Sequence, residues 1–156
     1  MNIEQIQQQI PLYNIFEGLT PQDICDVANI IQYKTFREHD EIITEGDEQN
    51  KDLYLIVSGT VVAKISTQKE DSANINVMGK GQIFGELSLL TDVKRSATIE
   101  ATSVVEIFCL SREKLENVAA HNNHVGLIIY KNIAKILADR IRNTNKLLKH
   151  TILWGW

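Results

Sequence analysis

Between Phe84 and Ala101 the chain reads FGELSLLTDVKRSATIEA, and the residue types in this stretch can together hold a small anion. Gly85 tolerates backbone angles that a side chain forbids and lets another group come close. Glu86 offers two carboxylate acceptors, and Arg95 a planar fork of five donors. The segment Glu86–Leu90 can form one helical turn whose first N–H groups would point at an anion. Ser96 adds a hydroxyl. One Arg and a few N–H donors balance about one negative charge. Glu86 would repel an anion set directly on it, so it is read as accepting from a neighbouring hydroxyl. The implied ligand carries a singly charged phosphate beside a ribose hydroxyl. Arg95 sits in a polar loop, LTDVKRS, where an exposed Arg is usually only solvated surface; its company is what singles it out.

Other chemistries find less support. A metal enzyme on a β-barrel of the cupin type needs two His and a carboxylate on strands. His39 falls in a turn, His121 and His124 flank helices, and His150 is in the tail. HisAsnAsnHis at 121–124 can span one helical turn, but no third ligand is near in sequence, and a polar helix break is the simpler reading. No Ser/His/Asp or Cys/His arrangement stands out. The expectation is therefore a binding protein and not an enzyme, with no catalytic residue, metal ligand or cofactor. Cys25 and Cys109 lie among apolar neighbours and read as small core residues. No disulfide framework or zinc pattern is visible, which fits a reducing compartment.

Positioning such a site takes a scaffold, and 156 residues suffice for a single domain, 1–156, with a full core. The net charge of −4 disfavours a general nucleic-acid binder. From Asn122 onward six Lys/Arg face one acid, +5, which leaves −9 for the rest. That basic end reads first as a solvated helix face and second as a surface for an acidic partner. The start, MNIEQIQQQI, lacks the basic and apolar regions of a signal peptide. No apolar stretch approaches the ~20 residues that span a bilayer. The expected location is the cytoplasm, away from membranes.

Residues 3–10 suit a short amphipathic helix that Pro11 interrupts. Thr20 as N-cap, Pro21 at the first position and Asp23 in the first turn predict a helix over 21–31. The apolar period then changes from 3.6 to 2. Short strands are predicted at Tyr33–Phe36, Glu41–Thr44, Asp52–Ser58, Thr60–Ser66, Asn74–Met78, Ser96–Ala101 and Val104–Leu110. Turn residues separate them at 39–40, 45–47, Gly59, Thr67–Ser72 and 79–81. Ser111 is placed to cap a short helix, REKLENVAA, and a longer one runs from Val125 to about Lys149. The predicted class is α+β: a β-sandwich or jelly-roll barrel (double-stranded β-helix) over 32–110, N-terminal helices over 1–31, and C-terminal helices over 111–150. On the last helix Tyr130, Ala134, Leu137, Ile141, Thr144 and Leu148 form a weak heptad seam that suits a homodimer. Ile129, Ile133 and Ile136 would face the barrel. A single wide core-facing stripe in a monomer is the alternative. The tail ILWGW holds both tryptophans, and the pattern assigns it no role.

The segment 84–97 resembles the phosphate-binding cassette of the cyclic-nucleotide-binding domain family, which includes regulatory subunits of the cAMP-dependent kinase and the bacterial catabolite activator. The family pattern is FGE, a short apolar helix, then an Arg and small residues entering a strand; here it is Phe84–Gly85–Glu86, Leu87–Leu90 and Arg95–Ser96–Ala97–Thr98. EIITEGDEQNKDLYLIVSGTVVAK resembles the family's barrel hairpins, with glycines at Gly46 and Gly59, and the likeness runs over about residues 12–148. It implies a sensor of cAMP, or of cGMP, that signals through its last helix to an unidentified downstream protein. Glu86 would accept from the ribose 2′-OH, while the amides near Gly85, Leu87 and Ser88 and the Arg95 guanidinium would hold the cyclic phosphate. Ser96 would touch phosphate or a syn purine; family members with a hydroxyl there include responders to either nucleotide, so it leaves the base open. Thr144 and Asn145 match positions that reach adenine in the bacterial activator, with Tyr130, Ile133 and Leu137 as alternative lid residues. Lys94 stands where the family often has Pro, and the turn at His39–Asp40 lacks a frequent Gly. No winged helix-turn-helix pattern follows, so direct DNA binding is not expected. A ligand-free dimerisation module of the same fold is the runner-up.

Overall fold

The computed structural model describes residues 1–66 and 72–154. Helices α1 (Ile3–Gln9) and α2 (Pro21–Ile30) precede eight strands: β1 (Ile31–Phe36), β2 (Glu41–Ile43), β3 (Leu53–Ser58), β4 (Val61–Ser66), β5 (Ser72–Met78), β6 (Ile83–Phe84), β7 (Thr98–Ala101) and β8 (Val105–Leu110). Helix α3 (Glu86–Leu90) lies between β6 and β7, and α4 (Arg112–His121) and α5 (Asn123–Trp154) close the order. The strands form two four-stranded antiparallel sheets, β1-β8-β3-β6 and β2-β7-β4-β5. No ladder joins the sheets among the described residues, so the expected barrel is an open sandwich.

The sheet β1-β8-β3-β6 is the middle layer, and strand alternation explains how. On β3, Leu53, Leu55 and Val57 join the core under the helices, while Tyr54 and Ile56 join the core between the sheets. On β8, Phe108 and Leu110 face the helices, and Val105, Ile107 and Cys109 face the other sheet. A strand buried on both faces reads as a continuous apolar run, which is why LYLIV and IFCL show little alternation. The short strand β6 escaped the sequence reading because two residues carry no period. It places Ile83 in the helical core and Phe84 in the inter-sheet core, so the segment entering the cassette is anchored in both.

The helix ends follow local chemistry. Asn2 and Gln5 form a capping box on α1, and Thr20 and Asp23 one on α2. Ser111 occupies the N-cap position of α4, but its side chain makes no capping bond, contrary to expectation. Pro11 is the second residue of a 3₁₀ turn, Ile10–Leu12, that follows α1. His39 has φ 71°, the left-handed region, which accounts for a preference for Gly in that turn. The expected turn over Thr67–Ser72 falls outside the described residues, apart from the Ser72 backbone that opens β5. Gly155 and Trp156 also lie outside them.

Helix α5 starts two residues earlier and ends five later than the pattern predicted, at about 48 Å long. Its first half packs: Val125, Ile129 and Ile133 are fully buried, with Tyr130, Ile136 and Leu137 packed at the margin. The seam is divided. Tyr130 and Leu137 are half-buried against the helical core, whereas Ala134, Ile141, Thr144 and Leu148 are exposed. No helix among the described residues is long and apolar enough to cross a membrane.

Candidate functional site

Gly85 is the N-cap of α3, with φ 80°. A Cβ there would lie 2.6 Å from Arg95 Nη1 and 2.8 Å from the Asp52 carbonyl oxygen, so both its conformation and its close contacts require Gly. The following turn leaves its first N–H groups without helical partners. Around it the structure brings Gly85, Glu86, Leu87, Ser88, Arg95, Ser96 and Ala97 to one cavity of about 50 Å³, completed by Ile43 and Ile99. Phe84 lies beneath, stacked on Tyr54 with ring centroids 5.1 Å apart.

Arg95 corrects one expectation. The polar loop suggested an exposed side chain, yet Arg95 is 3% exposed. Its guanidinium turns inward because three acceptors converge there. Nη1 donates to the Gly85 carbonyl at 2.9 Å, and Nη2 to Asn50 Oδ1 at 2.7 Å and the Asp52 carbonyl at 2.8 Å. The Tyr54 ring lies 5.8 Å from its Cζ. All three acceptors are neutral, and the buried Nε has no partner. Burial pushes the guanidinium's pKa below its ordinary value, with nearby acids opposing. The result is a desolvated cation at the wall of a cavity the size of a phosphate, with its Nε donor unused.

Glu86 is buried, and Arg140 of α5 holds its Oε1 at 2.7 Å. The same Arg140 donates to the Ile83 carbonyl. Among the described residues Glu86 Oε2 makes no hydrogen bond, so one carboxylate oxygen remains for a ligand hydroxyl. Sequence reasoning missed Arg140, having read the basic helix as a solvated face. A signal existed: Ile129, Ile133, Leu137 and Arg140 step by four, four and three along one face, so Arg140 continues the buried stripe. Asn50 and Asp52 were missed for another reason. They lie more than forty residues from Arg95, and only the fold joins them.

The expected lid residues do not gather at the cavity. Ile133 is fully buried in the helical core, which contradicts a place over a ligand in this conformation. Tyr130 and Leu137 pack at the edge of that core. Thr144 and Asn145 are exposed on the second half of α5. Cys109 is buried, its thiol donating to Asp52 Oδ2 at 3.3 Å, and burial followed by Asp52 pushes its pKa up to about 12. Cys25 is only half-buried.

The two histidines of the polar break have separate partners. His124 Nδ1 meets Asp23 Oδ2 at 2.7 Å, and His121 Nδ1 meets the Asn117 carbonyl at 2.8 Å. Among the described residues no group of three His, Cys, Asp or Glu could hold a metal.

With this geometry in place, the comparisons with known proteins are specific. The cyclic nucleotide-binding domain family model matches residues 33–122, and the chain belongs to that family. It is 29% identical over 131 residues to the cyclic AMP receptor protein of Thermus thermophilus, covering 84% of this chain and 58% of that one. The chain thus spans less than two thirds of that relative's length. Among solved structures, the regulatory domain of Toxoplasma gondii PKA with cAMP superposes with a TM-score of 0.65 at 27% identity, over 74% of this chain and 44% of that one. A cyclic nucleotide-binding domain from Methylobacillus flagellatus reaches a TM-score of 0.81 at 23% identity, over 96% of this chain and 84% of that one, a likeness of fold.

Proposed function

We propose that this domain is a cyclic-nucleotide sensor whose ligand is cAMP, with cGMP as the alternative, and that it binds its ligand without transforming it. The observation that carries the reading is Arg95: a buried cation with only neutral partners and a free Nε, at the wall of a phosphate-sized cavity. An anion that completes its coordination gains a charge-assisted contact in a desolvated site. In this reading Arg95 and the amides of Glu86, Leu87 and Ser88 hold the cyclic phosphate, and Glu86 accepts from the ribose 2′-OH. Ser96 lies at the cavity's rim.

The signal would leave through α5. Leu89 and Ile83 of the cassette share one core with Ile129 and Ile133, and Arg140 ties Glu86 to the same helix. A ligand that draws the cassette inward therefore shifts the support of α5, provided it binds one helix position more tightly than the other. Beyond Arg140 the helix exposes Ile141, Leu147, Leu148 and Ile152, which suits pairing with a second copy or with a downstream protein in the cytoplasm.

The ligand-free module remains the second reading, because a cavity of about 50 Å³ is far below the ~300 Å³ of usual small-molecule pockets. Thermal unfolding with cAMP, cGMP and 5′-AMP decides. A melting rise of roughly 5–10 °C with a cyclic nucleotide, at about 100 times its Kd, is expected. No rise with any of the three would leave the ligand-free reading standing.

A further inference from the structure

We propose that a small cavity between the first half of α5 and a 3₁₀ turn at Asn14–Phe16 binds a free α-amino acid in its zwitterionic form. The site is separate from the cassette, and the inference does not depend on the cyclic-nucleotide reading. It starts from Asn132, a polar side chain on α5 that is only 4% exposed. Its Nδ2 donates to the Ile15 carbonyl at 3.0 Å and to the Glu17 carbonyl at 2.9 Å. Its Oδ1 has no partner among the described residues. Of the buried side-chain polar atoms there, Arg95 Nε alone is both sealed and unpartnered. Asn132 Oδ1 is therefore not sealed, and it opens onto the cavity that Asn132 lines. A buried amide oxygen left without a donor costs free energy that a bound donor would recover.

The cavity measures about 190 Å³, and Asn14, Glu17, Lys135, Ile136 and Asp139 complete its walls. Asn132, Lys135 and Asp139 are spaced by three and four, so one face of α5 carries all three. Asp139 is already paired, with Arg142. Glu17 and Lys135 are not: among the described residues neither side chain makes a hydrogen bond or an ion pair. Opposite charges thus line one small cavity without meeting each other. What the walls present is one free carboxylate, one free ammonium and one buried amide oxygen.

That set selects a ligand class. A ligand ammonium brings three donors, which Asn132 Oδ1 and the Glu17 carboxylate accept, and a ligand carboxylate meets Lys135 in a charge-assisted contact. A metal ion fits less well, because no three His, Cys, Asp or Glu converge among the described residues and Lys135 would repel it. A diamine would face Lys135 with a like charge, and a simple anion would face Glu17. The volume lies below the ~300 Å³ of usual small-molecule pockets, and half-buried Ile136 offers the apolar wall, so the amino acid is a small one with a short side chain. Such an occupant would bridge the N-terminal segment, through Glu17, to the helix that carries Arg140.

The test titrates the whole chain, free of cyclic nucleotide, with glycine, L-alanine, L-serine and L-valine by calorimetry. L-Alanine methyl ester lacks the carboxylate, N-acetyl-L-alanine lacks the ammonium, and putrescine is a diamine of comparable size. Wild type, Glu17→Gln and Lys135→Met are compared. Glu17 and Lys135 are exposed, so both variants keep the fold, which unliganded melting checks. At least one of the four amino acids is expected to bind wild type saturably. Blocking either ligand charge, or removing either protein charge, is expected to weaken binding about 10-fold or more. Lys135→Met should also erase the preference for alanine over its methyl ester. No binding by any of the four amino acids overturns the proposal. Equal affinity in both variants puts any binding elsewhere and overturns it too, and putrescine or the methyl ester binding as tightly as the amino acid refutes the zwitterion. None of these results bears on the cassette, whose reading stands or falls on the nucleotide titrations.

Discussion

Replacing Arg95 by Met separates the charge of the site from its architecture. Met keeps much of the length and bulk and removes the cation. In the unliganded protein the change deletes three charge-assisted hydrogen bonds, to Gly85, Asn50 and Asp52, each worth roughly 1.5–3 kcal/mol. It also removes a buried charge that lacks an anionic hydrogen-bond partner, whose desolvation costs several kcal/mol. The two effects oppose each other. Unliganded Arg95→Met should therefore stay within about 2 kcal/mol of wild type, a melting shift of no more than roughly 8 °C at this chain length. Binding should behave differently. Truncating one partner of a buried charge pair costs about 2–5 kcal/mol, or roughly 30- to 5,000-fold in Kd. Unfolding with and without cAMP, calibrated by calorimetric titration, reads both quantities. Wild type at about 100 times its Kd gains about 2.7 kcal/mol, and the variant at the same concentration should gain no more than about 0.9 kcal/mol. Arg95→Lys keeps the charge, loses the fork and should fall between. Unchanged affinity in Arg95→Met would place the phosphate elsewhere. An unfolded variant would show that the Arg holds the cassette together and refute the balance argued here.

Three further outcomes are expected. Arg140→Ala should weaken cyclic-nucleotide binding about 5- to 30-fold by unpinning Glu86, roughly 1–2 kcal/mol, and speed hydrogen exchange in the second half of α5; tighter binding would mean that Arg140 competes with the ligand. Gly85→Ala combines a left-handed backbone with contacts of 2.6 and 2.8 Å, so chemical denaturation should show a loss of about 2–5 kcal/mol, and a loss under 1 kcal/mol would contradict the geometry. Burial raises the Asp23 pKa, but hydrogen bonds from Thr20, Asn122 and His124 outweigh it and leave the carboxyl well below the usual range. A lowered folded pKa means stability that is complete above the unfolded value of about 3.9 and lost as pH falls below it. Asp23→Ala should flatten that acid limb, and parallel loss in both proteins below pH 4 would assign it to other groups.

The cassette was legible in the sequence because it is local. Gly85, Glu86, Leu87, Ser88, Arg95, Ser96 and Ala97 lie within thirteen positions, and the loop that joins them must fold back on itself for any of their chemistry to converge. The helix over 21–30 was legible for the same reason: its N-cap, its Pro and its apolar spacing sit in one stretch. The burial of Arg95 was not, because its acceptors Asn50 and Asp52 come from the loop just before β3 and only sheet pairing sets them beneath the cassette. Nor was the tie from Glu86 to Arg140, which spans 54 positions and depends on where α5 crosses the cassette. The division of the last helix into a packed half and a free half also escaped, since one apolar period runs through both and only the extent of the sandwich determines where burial ends. The cross-strand row Ile43–Ile99–Ala63–Asn76, over β2, β7, β4 and β5, shows the same limit. Each strand displays its own alternation, but a bulge between Ala63 and Lys64 sets the register of β4 against β5. The residue types of the cassette are thus a property of the chain. What they face, a buried cation short of an anion and a carboxylate held from the last helix, arises only when distant strands and that helix pack together.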